Sequence, residues 1–282
     1  MKDDEPPNRN PPRAVLKFGG EVVADALALR HVLDEVRALC AEGWRFVIVH
    51  GGGPQSSAQA QRLGLEVRKV AGRRVTDAPT LEVAKQVLAG AVNVDVVTAA
   101  RASGVAAVGI AGVSLLGATR RPTETVDGTY VDFGLVGEVA EVDTALLELL
   151  WSARHVPVLA PLGADENGQA YNINADTVAS AVAAAVGADH LFLMTSAGGV
   201  LRDVNDAGSR IPTLSPAQAR EAIADGVIAG GMIPKVADAL DRLEGGIGVV
   251  HILGARSLRA AALEPGRVGT AILSSSPKEA SR

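Results

Sequence analysis

The chain of 282 residues holds a single cysteine, Cys40, so no intramolecular disulfide and no all-cysteine metal site can form; a reducing cytoplasm fits. Aromatic residues make up only 3%, and a core has to come from the Val, Leu, Ile and Ala that dominate its 48% hydrophobic content. That content suffices for one large α/β domain or two lobes. Basic excess is missing too: the formal net charge is -5, which argues against nucleic acid as the main partner. No Gly-Lys dipeptide occurs, which excludes the Walker phosphate loop. After Gly51 and Gly53 the third glycine of the dinucleotide fingerprint is replaced by Ser56. Asp132-Phe133-Gly134 matches a protein-kinase triplet by coincidence, because no His-Arg-Asp loop accompanies it. The five histidines lack zinc-ligand spacing, and His50 and His190 adjoin apolar strands where a hydrogen-bonded structural role is expected. Cys40 falls mid-helix on a packed face, a poor place for a nucleophile. Residues 1–13 have no apolar core and cannot be a signal peptide; they read as a disordered tail. Ala102 to Thr119 is an uncharged run of membrane length, but four glycines break it, and strand and turn are expected there instead of a membrane span.

What is present centres on Phe46 to Pro54. Four apolar residues run through His50 into Gly51, Gly52, Gly53 and Pro54, and a helix-compatible run follows. This predicts a buried strand, a tight turn and a helix with Pro in its first turn. Glycine amides at a helix start suit an anion, especially phosphate; a turn that simply needs glycine is the equal alternative on this stretch alone. Upstream, Ala14 to Phe18 reads as a strand ending in Gly19-Gly20, and Asp25 to Glu42 as a helix, completing a β-α-β unit and predicting a parallel sheet covered by helices. A long helix is expected with Leu81, Ala84, Val87, Leu88, Ala91, Val92 and Val96 on one face. Asp127-Gly128 predicts a hairpin excursion. Further strands are expected at Val156–Ala160, Leu191–Thr195, Val249–Leu253 and, as the sheet's edge, Gly269–Leu273. Asn174 or Asp176 is a plausible cap for an Ala/Val-rich helix to Val186. Two closely joined lobes are expected, 14–170 and 171–282, after the tail of residues 1–13.

The chain has six lysines, and two of them, Lys17 and Lys235, touch glycine turns. A lysine inside an apolar strand is costly unless its ammonium reaches a partner or water. Lys235 in a helix first turn is ill-placed for the helix dipole unless an anion lies between them. In an open α/β sheet such turns gather at the carboxyl ends of the strands, where ligands bind.

Lys17-Phe-Gly-Gly20, His50-Gly-Gly-Gly-Pro54, Gly72-Arg-Arg-Val-Thr-Asp77, Tyr171-Asn-Ile-Asn-Ala-Asp-Thr177 and Gly230-Gly-Met-Ile-Pro-Lys235 together resemble the N-acetylglutamate kinases, over roughly residues 14 to 273. The resemblance implies the amino acid kinase fold, an open, mainly parallel eight-stranded sheet sandwiched by helices. It implies an N-terminal lobe for the acyl amino acid and for dimerisation, and a C-terminal lobe for ATP. The implied reaction is phosphorylation of the side-chain carboxylate of N-acetyl-L-glutamate, in arginine biosynthesis, with Mg²⁺ bound mainly through the nucleotide. By position, Lys17 and Lys235 match lysines that stabilise the transferring phosphoryl group, and Asp176 the aspartate that orients them. Gly19 and Gly20 match a turn that receives phosphate, Gly52 and Gly53 one that receives substrate. Arg74 matches a substrate carboxylate clamp and Asn172 its neighbour. Ser196, Ala197, Gly198, Gly199, Val200 and Leu201, with Val227, Ile228 and Ala229, match segments around the nucleotide.

There are departures. Asn93 is followed by Val94 where a lysine is frequent, Gly112-Val-Ser-Leu115 lacks the usual lysine and aspartate, and Ser196 stands where an aspartate is usual. The proline-rich tail cannot form the N-terminal helix that links dimers into arginine-inhibited hexamers, so a homodimer without strong arginine feedback is expected. The alternatives are a kinase for a carrier-protein-linked aminoadipate or glutamate, or a non-catalytic regulator on the same fold. His-Gly-Gly-Gly-Pro favours the free acetylated substrate, and retention of Lys17, Asp176 and Lys235 favours catalysis.

Overall fold

In the computed structural model, residues 10–70, 73–126, 128–203, 205–228, 232–244 and 246–273 are described. The tail of residues 1–9 and the Gly230-Gly231 turn lie outside them, as do Gly72, Asp127 and Ala229. The N-terminal half runs β1 (Arg13–Phe18), α1 (Gly20–Ala24), α2 (Ala26–Ala41), β2 (Arg45–His50), α3 (Gly53–Arg62), β3 (Lys69–Val70), β4 (Arg73–Arg74), α4 (Ala78–Ala84), α5 (Asn93–Ala102) and β5 (Ala107–Ala111). It continues through β6 (Leu116–Arg120), β7 (Glu124–Val126), β8 (Thr129–Val131), β9 (Gly137–Val142), α6 (Ala145–Ser152), β10 (Val156–Ala160), β11 (Leu162–Ala164) and β12 (Ala170–Asn172). Then follow α7 (Ala175–Ala185), β13 (His190–Met194), β14 (Thr213–Leu214), α8 (Pro216–Ala224), α9 (Ile233–Glu244), β15 (Val249–Leu253), α10 (Leu258–Leu263) and β16 (Thr270–Leu273).

Eight strands form one sheet in the order β14-β16-β15-β13-β1-β2-β10-β5. All neighbours pair parallel except β15 with β16. The four strands on one side come from the C-terminal part of the chain and the four on the other from the N-terminal part, so one sheet passes through both expected lobes. Both faces are covered. Val15, Val47, Val49, Leu191, Leu193 and Val250 pack on one side, and Leu16, Phe46, Ile48, Phe192 and Met194 on the other. The alternation of the pleat divides near-continuous apolar strands between two helix layers.

Two expectations need correcting. The last strand is not the edge: β14 pairs outside it, and its antiparallel pairing to β15 reverses the sheet's direction there. The long helix from Ala78 to Ala102 is not uniformly α, because Lys85–Val92 is π-helical. The wider turn leaves Ala91 exposed and turns Asn93 inward, where it is buried. The expected hairpin is β7 with β8, and β6 pairs antiparallel with β9. With β11 and β12 that pair forms a second, four-stranded sheet, which the sequence pattern did not reveal. Asp25 caps α2 by accepting from the amides of Leu27 and Ala28, and Asn174 caps α7 by accepting from the Asp176 amide at 2.7 Å.

Candidate active site

The parallel register sets Phe18 beside His50, so the turns leaving β1 and β2 lie side by side. The Gly51 amide donates to Phe18 O at 2.8 Å, and Gln55 Nε2 donates to Gly20 O at 2.7 Å, tying the two turns together. A Cβ on Gly20 would overlap the Gln55 amide and sit 3.0 Å from Gly52 Cα. Backbone here passes against backbone, and only glycine fits.

These turns form the floor of a cavity of about 290 Å³. It gathers Lys17, Gly19, Gly20, Gly52, Gly53, Arg74, Asn172 and Asp176 from β1, β4, β12, α7 and the two turns. Lys17 is 8% exposed, and its Nζ lies 2.8 Å from Asp176 Oδ1, which answers the cost of a lysine in an apolar strand. Arg74 donates through Nη2 to Gly53 O at 3.1 Å and Ser57 Oγ at 2.7 Å. Its Nη1 is buried without a partner among the described residues, and burial lowers the guanidinium's pKa. An unpaired buried donor on a cation is expensive, so an acceptor arriving there is strongly favoured. Asn172 donates to Thr76 Oγ1 at 3.2 Å.

Three cations that sequence reasoning missed, Lys69, Arg73 and Arg121, also line the cavity. Five cations then face two carboxylates, Glu21 and Asp176, so the lining suits polyanions. Arg121 is held by Glu124 and by Glu138 at 3.1 Å. Lys69 and Arg73 were legible only as neighbours of Arg74; Arg121 had no signal, since it arrives from the end of a strand in the second sheet.

His50 is fully buried and burial brings its pKa down to about 4, so the ring is neutral at pH 7. Asn93 Nδ2 lies 3.0 Å from both Val158 O and His50 Nε2. Because a carbonyl can only accept, the Asn93 group facing both is the NH₂; Nε2 is then the acceptor and the ring proton sits on Nδ1. From there it donates to Gly51 O at 3.1 Å.

The other segments matched to the nucleotide stand apart from this cavity. Ser196 lines a second hollow of about 400 Å³ with Thr195, Gly254 and Arg256; Glu21 lines both. Gly198 and Gly199 have φ of 69° and 159°, a left-handed turn that favours glycine. Ala197 precedes them, and Leu201 bridges to Arg210. Val200 is buried and its amide donates to Thr270 Oγ1 at 2.9 Å. Val227 lines a third hollow of about 280 Å³, and Ile228 is buried in the core. Lys235 is in the first turn of α9, but its side chain lies outside the described features. Cys40 packs half-buried near the end of α2, and burial raises its pKa to about 11.

Comparison with known proteins places these features in context. The sequence profile of the amino acid kinase family matches residues 12–254. An acetylglutamate kinase of Anaeromyxobacter dehalogenans is 51% identical over 267 residues, 92% of this chain and 98% of that protein. One from Sorangium cellulosum is 48% identical over 267 residues, 92% of this chain and 94% of that protein. Among solved structures, N-acetylglutamate synthase from Neisseria gonorrhoeae, complexed with coenzyme A and N-acetyl-glutamate, superposes with a TM-score of 0.78 at 26% identity. That match covers 94% of this chain but only 60% of the synthase.

Proposed function

Since the chain belongs to the amino acid kinase family, we propose that it transfers a phosphoryl group from ATP to the side-chain carboxylate of N-acetyl-L-glutamate. The product is N-acetyl-L-glutamyl 5-phosphate, an early intermediate of arginine biosynthesis. One observation carries this reading on the geometric side: Arg74, whose buried Nη1 has no hydrogen-bond partner among the described residues, lines the same cavity as Lys17, Asp176 and the Gly52-Gly53 turn.

The chemistry needs little from the protein beyond placement. A side-chain carboxylate with a pKa near ~4.3 is already ionised at pH 7 and attacks without a general base. Arg74 takes the other carboxylate of the substrate, and Asn172 lies beside it. Amides of Gly52 and Gly53, with Lys17, receive charge on the transferring group. Asp176 holds Lys17 in position, and Lys235 supplies the second lysine from α9. Such fixed donors and cations act mainly by electrostatic placement. Gly19-Gly20, residues 196–201 and 227–229 take the nucleotide. Mg²⁺, held mainly through the nucleotide, neutralises phosphoryl charge when bound; the surplus of cations and free amides fits such a polyanion.

Residues 14–170 then form the lobe for the acyl amino acid and dimerisation, and 171–282 the lobe for ATP. The helical run Ala78–Ala102 has a mean hydropathy of 1.2 in its most apolar window, yet only 44% of that window is buried. Val94 on it is 60% exposed. A second copy of the chain would cover that face, making the working unit a homodimer in the cytoplasm. A carrier-linked substrate is not favoured, since the relatives at about half identity bear the acetylglutamate kinase name.

Trapping the acyl phosphate with hydroxylamine separates these readings. N-acetylglutamate should give hydroxamate far faster than glutamate or aminoadipate. If no acyl phosphate is trapped with N-acetylglutamate, the assignment fails.

A further inference from the structure

We infer that Asn93 and His50 form a positioning relay that locks the Gly51–Gly52 peptide with its N–H turned away from the protein interior, making the Gly52 amide a fixed donor in the cavity. The inference deepens the function proposed above and rests on it.

The relay has three links. Asn93, 5% exposed, is anchored by Val158 O and donates to His50 Nε2. That contact leaves the ring proton on Nδ1, which donates to Gly51 O. No cis peptide bond occurs among the described residues, so the Gly51–Gly52 peptide is trans and the Gly52 N–H points opposite to the Gly51 carbonyl. A carbonyl held toward a fully buried imidazole therefore sends the next amide the other way, and Gly51 and Gly52 both line the cavity. The Gly52 amide has no partner among the described residues. Without the His50 bond, a peptide between two glycines would be free to turn over, and the cavity would lose a donor and gain a carbonyl oxygen.

The surroundings are shaped for the relay. Asn93 follows directly on the π-helical turn, whose extra residue swings it inward. A Cβ on Gly109 would overlap Asn93 Oδ1, so the asparagine fits only because that strand position is bare. The same π-helical stretch sets Leu88 against Gly52, 2.6 Å from where a Cβ would be. One irregular helical segment thus fixes the glycine turn from two directions.

Two substitutions split the ring's two bonds. In His50→Asn the amide NH₂ takes the place of Nδ1 and keeps the bond to Gly51 O, while the bond to Asn93 is lost. In His50→Gln the amide reaches the place of Nε2, keeping Asn93 satisfied but leaving Gly51 O without a donor. The relay predicts that His50→Asn retains kcat within about fivefold. It predicts that His50→Gln loses roughly 10- to 100-fold in kcat with both KM values nearly unmoved, since a misaligned donor costs less than the 10²–10³ of one removed. A merely structural histidine would favour Gln, or lose stability equally in both. Glutamine at wild-type kcat, equal loss in the two variants, or a loss confined to KM would overturn the relay. If His50→Gln does not fold, Asn93→Ala gives the second test: kcat should fall about three- to tenfold with KM unmoved, and an unchanged kcat refutes the inference. Wild-type protein that forms no acyl hydroxamate would instead sink the underlying function.

Discussion

The two sides of the sheet's carboxyl edge are organised in opposite ways. Beside β1, β2 and β10, Lys17 and Arg74 reach forward into one cavity and are braced, Lys17 on Asp176 and Arg74 on Gly53 and Ser57, while His50 stays buried behind the glycine turn, braced on Asn93. Beside β13, β15 and β16, the bracing side chains grip backbone and point back into the protein. Thr270 Oγ1 accepts from the Val200 amide and donates to Ile211 O at 2.6 Å. Arg210 donates to the carbonyls of Gly266, Arg267 and Gly269. The first side places charged groups, and the second places a stretch of main chain. Substitutions on the first side should therefore strike turnover or acceptor affinity, and those on the second should act through backbone geometry on nucleotide affinity.

The largest effect is expected at Lys17. Lys17→Ala should cut kcat by at least about 10²-fold with a much smaller change in the KM for ATP, measured by coupled ADP release. A near-normal kcat would remove its proposed role. Arg74→Lys comes next: it keeps the charge but loses the planar fork, so the KM for N-acetylglutamate should rise roughly tenfold or more with kcat affected less. On the other side, Thr270→Val leaves the Val200 amide and the Ile211 carbonyl unpaired. That costs on the order of 2–3 kcal/mol of stability, seen by denaturant melts, and should raise the KM for ATP several-fold while sparing that for N-acetylglutamate. If Thr270→Val instead raised the acceptor KM, the division between the two sides would collapse.

How much of this was readable beforehand follows the same division. The β2 strand, its glycine turn and α3 were legible because a β-branched run, three glycines and a first-turn proline each mean the same thing. Lys17 was legible from the cost of a lysine in an apolar strand, and the structure supplies the partner that removes it. The second sheet was not, because β11 and β12 are three residues each and are defined by their pairing, not by their composition. The π-helical turn was hidden because it changes spacing by one residue without changing residue types, and it alone turns Asn93 inward and Ala91 outward. Arg121 was invisible for a third reason: its place on the cavity is set by strand pairings distant in sequence. Thr270 was legible only as part of an expected strand; its grip on Val200, 70 residues away, needed the fold.

The smallest effect on neutral-pH turnover, and the cleanest contrast with His50, is expected at the histidine pair behind the nucleotide side. His190 on β13 and His251 on β15 both stack on Phe192, Trp44 lies tilted against His190, and His190 Nδ1 lies 3.0 Å from His251 Nε2. Burial takes their pKa values down to about 4 and about 3, with the charge of His190 adding to the effect on His251. Folded protein therefore resists protonation while the unfolded chain takes up protons below about 6.5. Their contribution to stability is complete above that pH and is lost as the pH falls toward about 4 and then about 3. His251→Phe, close in volume and at home among the aromatics, removes one such proton site. The fall in Tm between pH 7 and pH 5 should be shallower than in the wild type, and kcat at pH 7 should stay within about twofold, because neither histidine lines the cavity. An unchanged slope would mean that the pair is not neutral in the folded protein. A large loss of kcat would mean that packing behind β13 and β15 governs turnover as directly as the braced side chains around Lys17 do.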